Sequence, residues 1–220
     1  SGLAALVLIS ALGTLAPTSL AAARPFVHRL SSEPDSLDPG KSNSVQGDRV
    51  MWLLFDALTQ LSLDGRQMVP ALAERWDQSP DGLTYTFTLR QGVTFHSGKP
   101  FTSADVMFTY RRMIDPRTPT AYGEDFRQVK RASAPDPHTF VVEYERPFAP
   151  ALASWGMHVL PKHLLEEYPD ISRSPLNRKP VGTGPYKFVE WKTAEKTVFE
   201  ANPDYYEGRP YLSRVITRVI

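Results

Sequence analysis

Five histidines, His28, His96, His138, His158 and His163, are the side chains of this 220-residue sequence best suited to hold a metal or move a proton. Their spacing serves neither task. None lies in an H-E-x-x-H segment, and the chain has no cysteine to complete a thiolate site or act as a nucleophile. His158 and His163 are separated by Pro161, so they do not share a helix face. All five read as hydrogen-bonded or partly exposed structural residues. Gly182-Thr183-Gly184 is followed by Pro185, which removes one of the backbone N–H groups that a phosphate-binding helix start needs. It reads as a tight turn between strands. Glu166 and Glu167 are adjacent and diverge on a helix, so they read as a solvated face. There is no G-x-S-x-G and no P-loop. The residues therefore call for no enzyme, no metal and no cofactor. Two aromatics stand in loop-like surroundings: Tyr122 among Pro116, Pro119 and Gly123, and Trp155 before Gly156. Such rings are common pocket walls and equally common loop anchors.

The elements that must position these residues are legible in part. Gln46 to Leu58 repeats apolar residues at Val50, Leu53, Leu54, Ala57 and Leu58, which predicts an amphipathic helix. Thr84 to Leu89 alternates strictly and predicts a strand with one buried face, and Val93-Thr94-Phe95 is expected to continue it. Asp64-Gly65 and Asp81-Gly82 are turn dipeptides at hairpin spacing. Thr102-Ser103-Ala104-Asp105 is a capping box that opens a helix running to about Ile114, stopped by Asp115-Pro116. Phe26–Leu30 and Thr139–Tyr144 read as strands, and Tyr186–Trp191 with Thr197–Glu200 as a hairpin pair. Lys162 to Tyr168 reads as a short helix and 169–180 as an exposed loop. Strands and helices mix without a βαβ period, so the class is α/β or α+β with a mixed sheet.

Composition narrows the function. Twenty-five basic against 24 acidic residues leave a net charge of +1, with no basic excess for a nucleic acid backbone. A hydrophobic content of 41% supports a folded core. Residues 1–23 carry no charged side chain and end in Ala21-Ala22-Ala23, the pattern of a signal peptide cleaved near Ala23. Pro17 and the polar Thr14, Thr18 and Ser19 break the run that a membrane span would need. Ser213 to Ile220 alternates like a strand with no following turn or partner, as expected for part of a longer protein.

Longer strings carry a resemblance. Ala71-Leu72-Ala73-Glu74-Arg75-Trp76, Ser79-Pro80-Asp81-Gly82 through Arg90, and Gly92 through Val106 come in that order. Ser36-Leu37-Asp38-Pro39, Leu160-Pro161-Lys162-His163, Gly182-Thr183-Gly184-Pro185-Tyr186 and Asn202-Pro203-Asp204-Tyr205-Tyr206 accompany them. Together they resemble the family 5 extracellular solute-binding proteins, the receptors of oligopeptide, dipeptide and nickel ABC importers, over essentially all of 26–220. The resemblance implies a periplasmic-binding-protein-like (type II) α/β lobe with a mixed sheet plus an inserted α+β subdomain, present here incompletely. Residues 24–43 and 162–220 would form the first lobe and 44–161 the inserted domain.

The resemblance also implies a function. The protein would be exported, bind a peptide or similar small solute and deliver it to an ABC permease in the membrane, working as a monomer without catalysis. A ligand sensor or a peptide chaperone on the same scaffold is the alternative, and a secreted peptide hydrolase a more distant one. The implied ligand-binding residues are Asn43, Ser44 and Val45, which would pair with an extended ligand backbone, Tyr122, and Ser154 with Trp155 at the return from the inserted domain.

Overall fold

The computed structural model describes residues 25–42, 44–118, 120 and 123–220, so the expected signal peptide, Asn43 and Tyr122 lie outside the described residues. Strand β1 (Phe26–Leu30) leads through a loop to helix α1 (Val45–Leu54). Ser44 caps α1: its Oγ accepts from Gly47 N at 3.0 Å. The helix ends at Leu54, short of the expected Leu58. The chain turns extended at Phe55 (φ −129°, ψ 151°) because Ala57, Leu58 and Thr59 are needed in backbone bonds to other segments.

A small hairpin follows, β2 (Thr59–Leu61) with β3 (Met68–Pro70), turning at Gly65 with φ +71°. Strands β4 (Ala73–Gln78) and β5 (Thr84–Leu89) pair across the Asp81-Gly82 turn. Val93–Phe95 is not a strand. Thr94 makes one bridge to Pro100, and Phe95 N bonds Lys99 O at 2.8 Å around Gly98. Helix α2 (Ser103–Met113) begins at Thr102, where the Asp105 carboxylate accepts from the Thr102 N–H at 2.9 Å.

Beyond α2 come α3 (Gly123–Phe126), β6 (Val129–Asp136), β7 (Thr139–Tyr144), α4 (Ala151–Ser154) and α5 (Lys162–Leu165). The helix expected to reach Tyr168 closes at Leu165. The 169–180 segment, expected to be exposed, forms two 3-10 turns and buries Ile171 and Ser174. The chain finishes with β8 (Tyr186–Lys192), β9 (Lys196–Ala201) and β10 (Arg214–Val219).

Two four-stranded sheets organise these elements. One has the order β4-β5-β7-β6 and is antiparallel throughout; the other has the order β1-β10-β9-β8, with β1 parallel to β10. The last strand, expected to lack a partner, has one on each side. The two central strands of the first sheet bury alternate residues: Tyr85, Phe87 and Leu89 on β5 face the core with Phe140, Val142 and Tyr144 on β7.

The packing yields two apolar cores. One gathers Leu30, Leu37, Val50, Met51, Leu54, Phe55, Tyr186, Phe199 and Val215, so α1 lies on the β1-β10-β9-β8 sheet. The other runs from Leu58 to Ile171 around the β4-β5-β7-β6 sheet. On packing, the chain passes from one core to the other between Phe55 and Leu58. Leu160, Leu165 and Ile171 pack in the second core.

The crossing is tight. His96 N donates to Gly182 O at 2.8 Å, and Gly184 N to Leu54 O at 3.0 Å. A Cβ on Gly182 would meet Leu54 O at 2.0 Å, and one on Gly184 would meet Leu54 C at 2.5 Å. The two glycines thus permit close backbone approach between units, a different task from the expected tight turn. Gly182→Ala is expected to cost about 3 kcal/mol or more through backbone displacement. Gly65→Ala, in open space but at positive φ, should cost about 1 kcal/mol. Thermal melting compares them, and a G182A melt no lower than that of G65A would contradict this account.

Candidate functional site

The segment that enters α1 is fixed by its own hydroxyls. Ser42 and Ser44 donate to one oxygen of Asp35 at 2.7 and 2.6 Å, and Gly47 leaves no room for a Cβ against Ser42 Oγ. Ser44 Oγ thus both donates and accepts, and its one proton is committed to Asp35. The main chain is what Ser44 and Val45 can offer a ligand. The first N–H groups of a helix have no intrahelical acceptor, and the Val45 side chain is 66% exposed.

At the return segment, Ser154 is buried and lies 2.8 Å from Asp125 Oδ2 and 3.2 Å from Pro150 O. It joins α4 to α3. Trp155, expected as a pocket wall, is core. Its ring is 2% exposed, with Phe126 and Phe140 at 5.0 and 4.9 Å and Phe87 and Tyr110 near 6 Å. Trp155 Nε1 donates to Tyr144 Oη at 3.1 Å, and its carbonyl accepts from Leu58 N and Thr59 N. Burial pushes the Tyr144 phenol up to about 12. Neither Trp155 ring face nor indole N–H is left for a ligand, because a ring this large is worth more as the centre of an aromatic cluster. Of the described ones among the six expected residues, Val45 is exposed, Ser44 partly so, and Ser154 and Trp155 are buried.

One polar residue at the junction, Asp56, was not singled out from the sequence. The carboxylate of Asp56, buried between the units, accepts from Thr183 Oγ1 at 2.9 Å and from Tyr205 Oη at 3.1 Å. It joins the end of α1, the Gly182–Gly184 segment and the loop after β9. Burial raises its pKa to about 6, with the nearby Glu207 charge adding to the rise and the Thr183 and Tyr205 bonds opposing it. Burial likewise raises the Tyr205 and Tyr206 phenols, helped by Asp56. His96 Nε2 donates to Gly184 O at 2.9 Å while Nδ1 accepts from Gly182 N at 3.3 Å, which fixes the tautomer. Burial lowers this imidazole to about 4.

His158, expected to be hydrogen-bonded or partly exposed, is neither. It is 3% exposed, its Nδ1 has no partner among the described residues, and burial alone lowers it to about 4. The Trp52 ring meets it edge-on at 4.7 Å, with Phe55 at 6.0 Å. Elsewhere, an open apolar groove of about 390 Å³ lies between α1 and the β1-β10 strands, with Arg49 and His28 on its rim. Among the described residues no three His, Cys, Asp or Glu side chains gather to hold a metal. None of the described helices is long and apolar enough to cross a membrane.

The α1 entry offers main-chain groups to a ligand, and comparison with known proteins shows the family. Residues 67–220 match the family model described as "Bacterial extracellular solute-binding proteins, family 5 Middle". The chain belongs to family 5 of the bacterial extracellular solute-binding proteins. Di/tripeptide-binding protein 2 of Pseudomonas aeruginosa is 34% identical over 209 residues, covering 84% of this chain and 39% of that protein. Among solved structures, NikZ of Campylobacter jejuni in complex with Ni(L-His) aligns with a TM-score of 0.83 at 32% identity, over 89% of this chain and 39% of that one. AppA of Bacillus subtilis in complex with a nonapeptide aligns with a TM-score of 0.83 at 30% identity, over 90% and 40%. The chain thus spans about two fifths of the length of its family 5 relatives.

The junction residues give this family 5 chain an opposed pH response. His96 and His158 titrate near 4 when folded and near 6.5 when unfolded, so their contribution is complete above about pH 6.5 and is lost as pH falls toward 4. Asp56 works in the other direction. Its buried charge is a cost above about pH 6 that is relieved as pH falls toward 3.8. Asp56→Asn, neutral throughout, is expected to be more stable than the parent by about 1–3 kcal/mol near neutral pH. It should also lose stability more steeply on acidification through about pH 6 to 4. Urea unfolding at several pH values checks this; an unchanged slope would mean that Asp56 has the same pKa folded and unfolded.

Proposed function

We propose that the chain is part of an exported, extracytoplasmic solute-binding protein that captures peptides or similar small solutes and delivers them to an ABC permease. The observation that carries this reading is the structural likeness to AppA, solved around a nonapeptide, over 90% of this chain. Curated relatives named for dipeptides, di/tripeptides and oligopeptides support it. The β1-β10-β9-β8 sheet with α1 is the first lobe, and the unit around the β4-β5-β7-β6 sheet is the inserted domain. The binding wall is formed by Asn43, Ser44 and Val45, by Ser154 and by Tyr122. It presents backbone to an extended ligand, and closure of an opposing lobe completes the enclosure. The protein performs no chemistry and acts as a monomer.

Main-chain recognition fits what the side chains leave over. Ser44 and Ser154 have committed their hydroxyl protons to Asp35 and Asp125, so they hold shape and have no proton left to donate to a ligand. Such a wall accepts many side-chain sequences, as peptide uptake requires. Calorimetry of the intact natural protein against a pool of di- to nonapeptides is expected to give dissociation constants of about 1 μM or tighter. Residues 25–220 alone, offering one wall, should bind nothing tighter than about 1 mM. An intact protein that ignores every peptide but takes up Ni(L-His) would move the assignment to metal chelates, and micromolar binding by residues 25–220 would mean that no second wall is needed.

A further inference from the structure

A buried imidazole without a partner is a standing cost to a fold, because the group has lost water and gained nothing. His158 is in that position. It is 3% exposed, and its Nδ1 meets no hydrogen-bonding atom among the described residues. Burial lowers this imidazole to about 4. Its main chain is held by the bridge to Ala57. What covers it is Trp52, edge-on at 4.7 Å and itself 42% exposed. The cover is therefore a side chain on the surface of α1, free on its outer side.

The position along α1 is informative. Val45 and Trp52 are two turns apart on the same exposed face. Two turns of helix rise about 10 Å, which is the span of about three residues of extended chain. His158 also lies four residues along the chain from Ser154, and the Trp52 contact brings it against α1.

We propose that Trp52 and His158 form a side-chain subsite of the binding wall, with Trp52 as a movable cover and His158 Nδ1 as the hydrogen-bonding group for an uncharged polar side chain of the bound peptide. This rests on the reading of the preceding subsection. An extended peptide whose backbone meets Val45 places a side chain about three residues along over Trp52. Displacing the indole uncovers the imidazole, and the waiting nitrogen gains the partner it lacks. An amide or hydroxyl suits a neutral ring in a site without counter-charge. A carboxylate or ammonium would have to lose its water with nothing to balance it.

The test uses the intact natural protein and alanine tripeptides carrying Asn or Leu at each position in turn. The parent is expected to favour Asn over Leu about tenfold at one position. His158→Leu should abolish that preference, leave the other positions within twofold, and raise the melting temperature by a few degrees because the orphaned nitrogen is gone. Trp52→Ala, a change at a half-exposed site that leaves the core intact, should weaken the favoured peptide about tenfold and serves as the deciding variant if His158→Leu does not fold. A preference that survives in His158→Leu, a panel bound by Trp52→Ala as by the parent, or a parent that binds the panel without positional preference each overturns the subsite alone. A parent that binds none of the tripeptides or longer peptides overturns the peptide reading, and the subsite falls with it.

Discussion

Everything in this chain hangs on the point where it crosses between its two cores and crosses back. Leu54 to Ala57 runs out at the end of α1, and Gly182 to Gly184 runs back beside it at a separation that excludes any side chain. A hydrogen bond from Gly184 N to Leu54 O makes the contact specific, and the backbone of His96 holds Gly182 from the other side. Because two unrelated segments are pinned here, α1 keeps its orientation on one sheet while the segment after it is delivered to the other. The N-terminus of α1 and the return at Ser154 are then set in place by the same few bonds.

Such a crossing must bury polar backbone from both passages, and the side chains around it complete the accounting. Thr183 serves Asp56 twice: its hydroxyl donates to the carboxylate and lies 3.3 Å from the Asp56 N–H. Asn202 Nδ2 donates to Gly184 O, which His96 also bonds, and Asn202 N donates to Pro185 O. These are neutral partners, apart from one carboxylate without a cation at bonding distance among the described residues. That is a costly choice for stability, since apolar replacement of buried charge is often favourable. It is a good one for geometry, because a carboxylate can hold two hydroxyls from separate segments at once. Asp56 thereby ties Thr183 and Tyr205 to one point, and the surface of β9's following loop is drawn against the crossing.

How much of this was visible in the residues depended on whether a local pattern or a distant partner decided the outcome. β5 and β7 are legible because both have one wet face, and their alternation survives in the burial of every second residue. β4 and β6 are not: β4 is an edge strand carrying Glu74, Arg75 and Asp77, and β6 contains register shifts that interrupt any period. The end of α1 was overrun because Ala57 and Leu58 continue the helical spacing, while backbone bonds from Leu72, Ala73 and Trp155 claim that stretch as extended chain. Trp155 next to Gly156 looks like a loop ring. Its burial comes from Phe87, Phe126 and Phe140, which no local window contains. The family was legible because it is written in ordered strings such as Gly182-Thr183-Gly184-Pro185-Tyr186, whose spacing survives where periodicity fails. The Asp56 junction could have been found from the same strings, by asking why a carboxylate follows Phe55 in an apolar run.

The division of labour between side chain and main chain follows from the crossing. Near α1 the hydroxyls of Ser42 and Ser44 are consumed by Asp35, and near α4 that of Ser154 by Asp125. These bonds give the two segments fixed shapes without borrowing from a ligand, so a solute meets a surface that is ordered before it arrives. Preorganisation of this kind lowers the entropic cost of binding, whereas a wall of free serines would have to be ordered each time. It also transfers recognition to N–H and C=O groups, which every peptide can match whatever its sequence. Selectivity must then come from places where a side chain is not already occupied, and among the described residues His158 is the buried imidazole for which that holds. A wall whose serines are already committed, with an unsatisfied imidazole nitrogen beside a half-exposed ring, can accept a broad class of ligands and still discriminate at a single position.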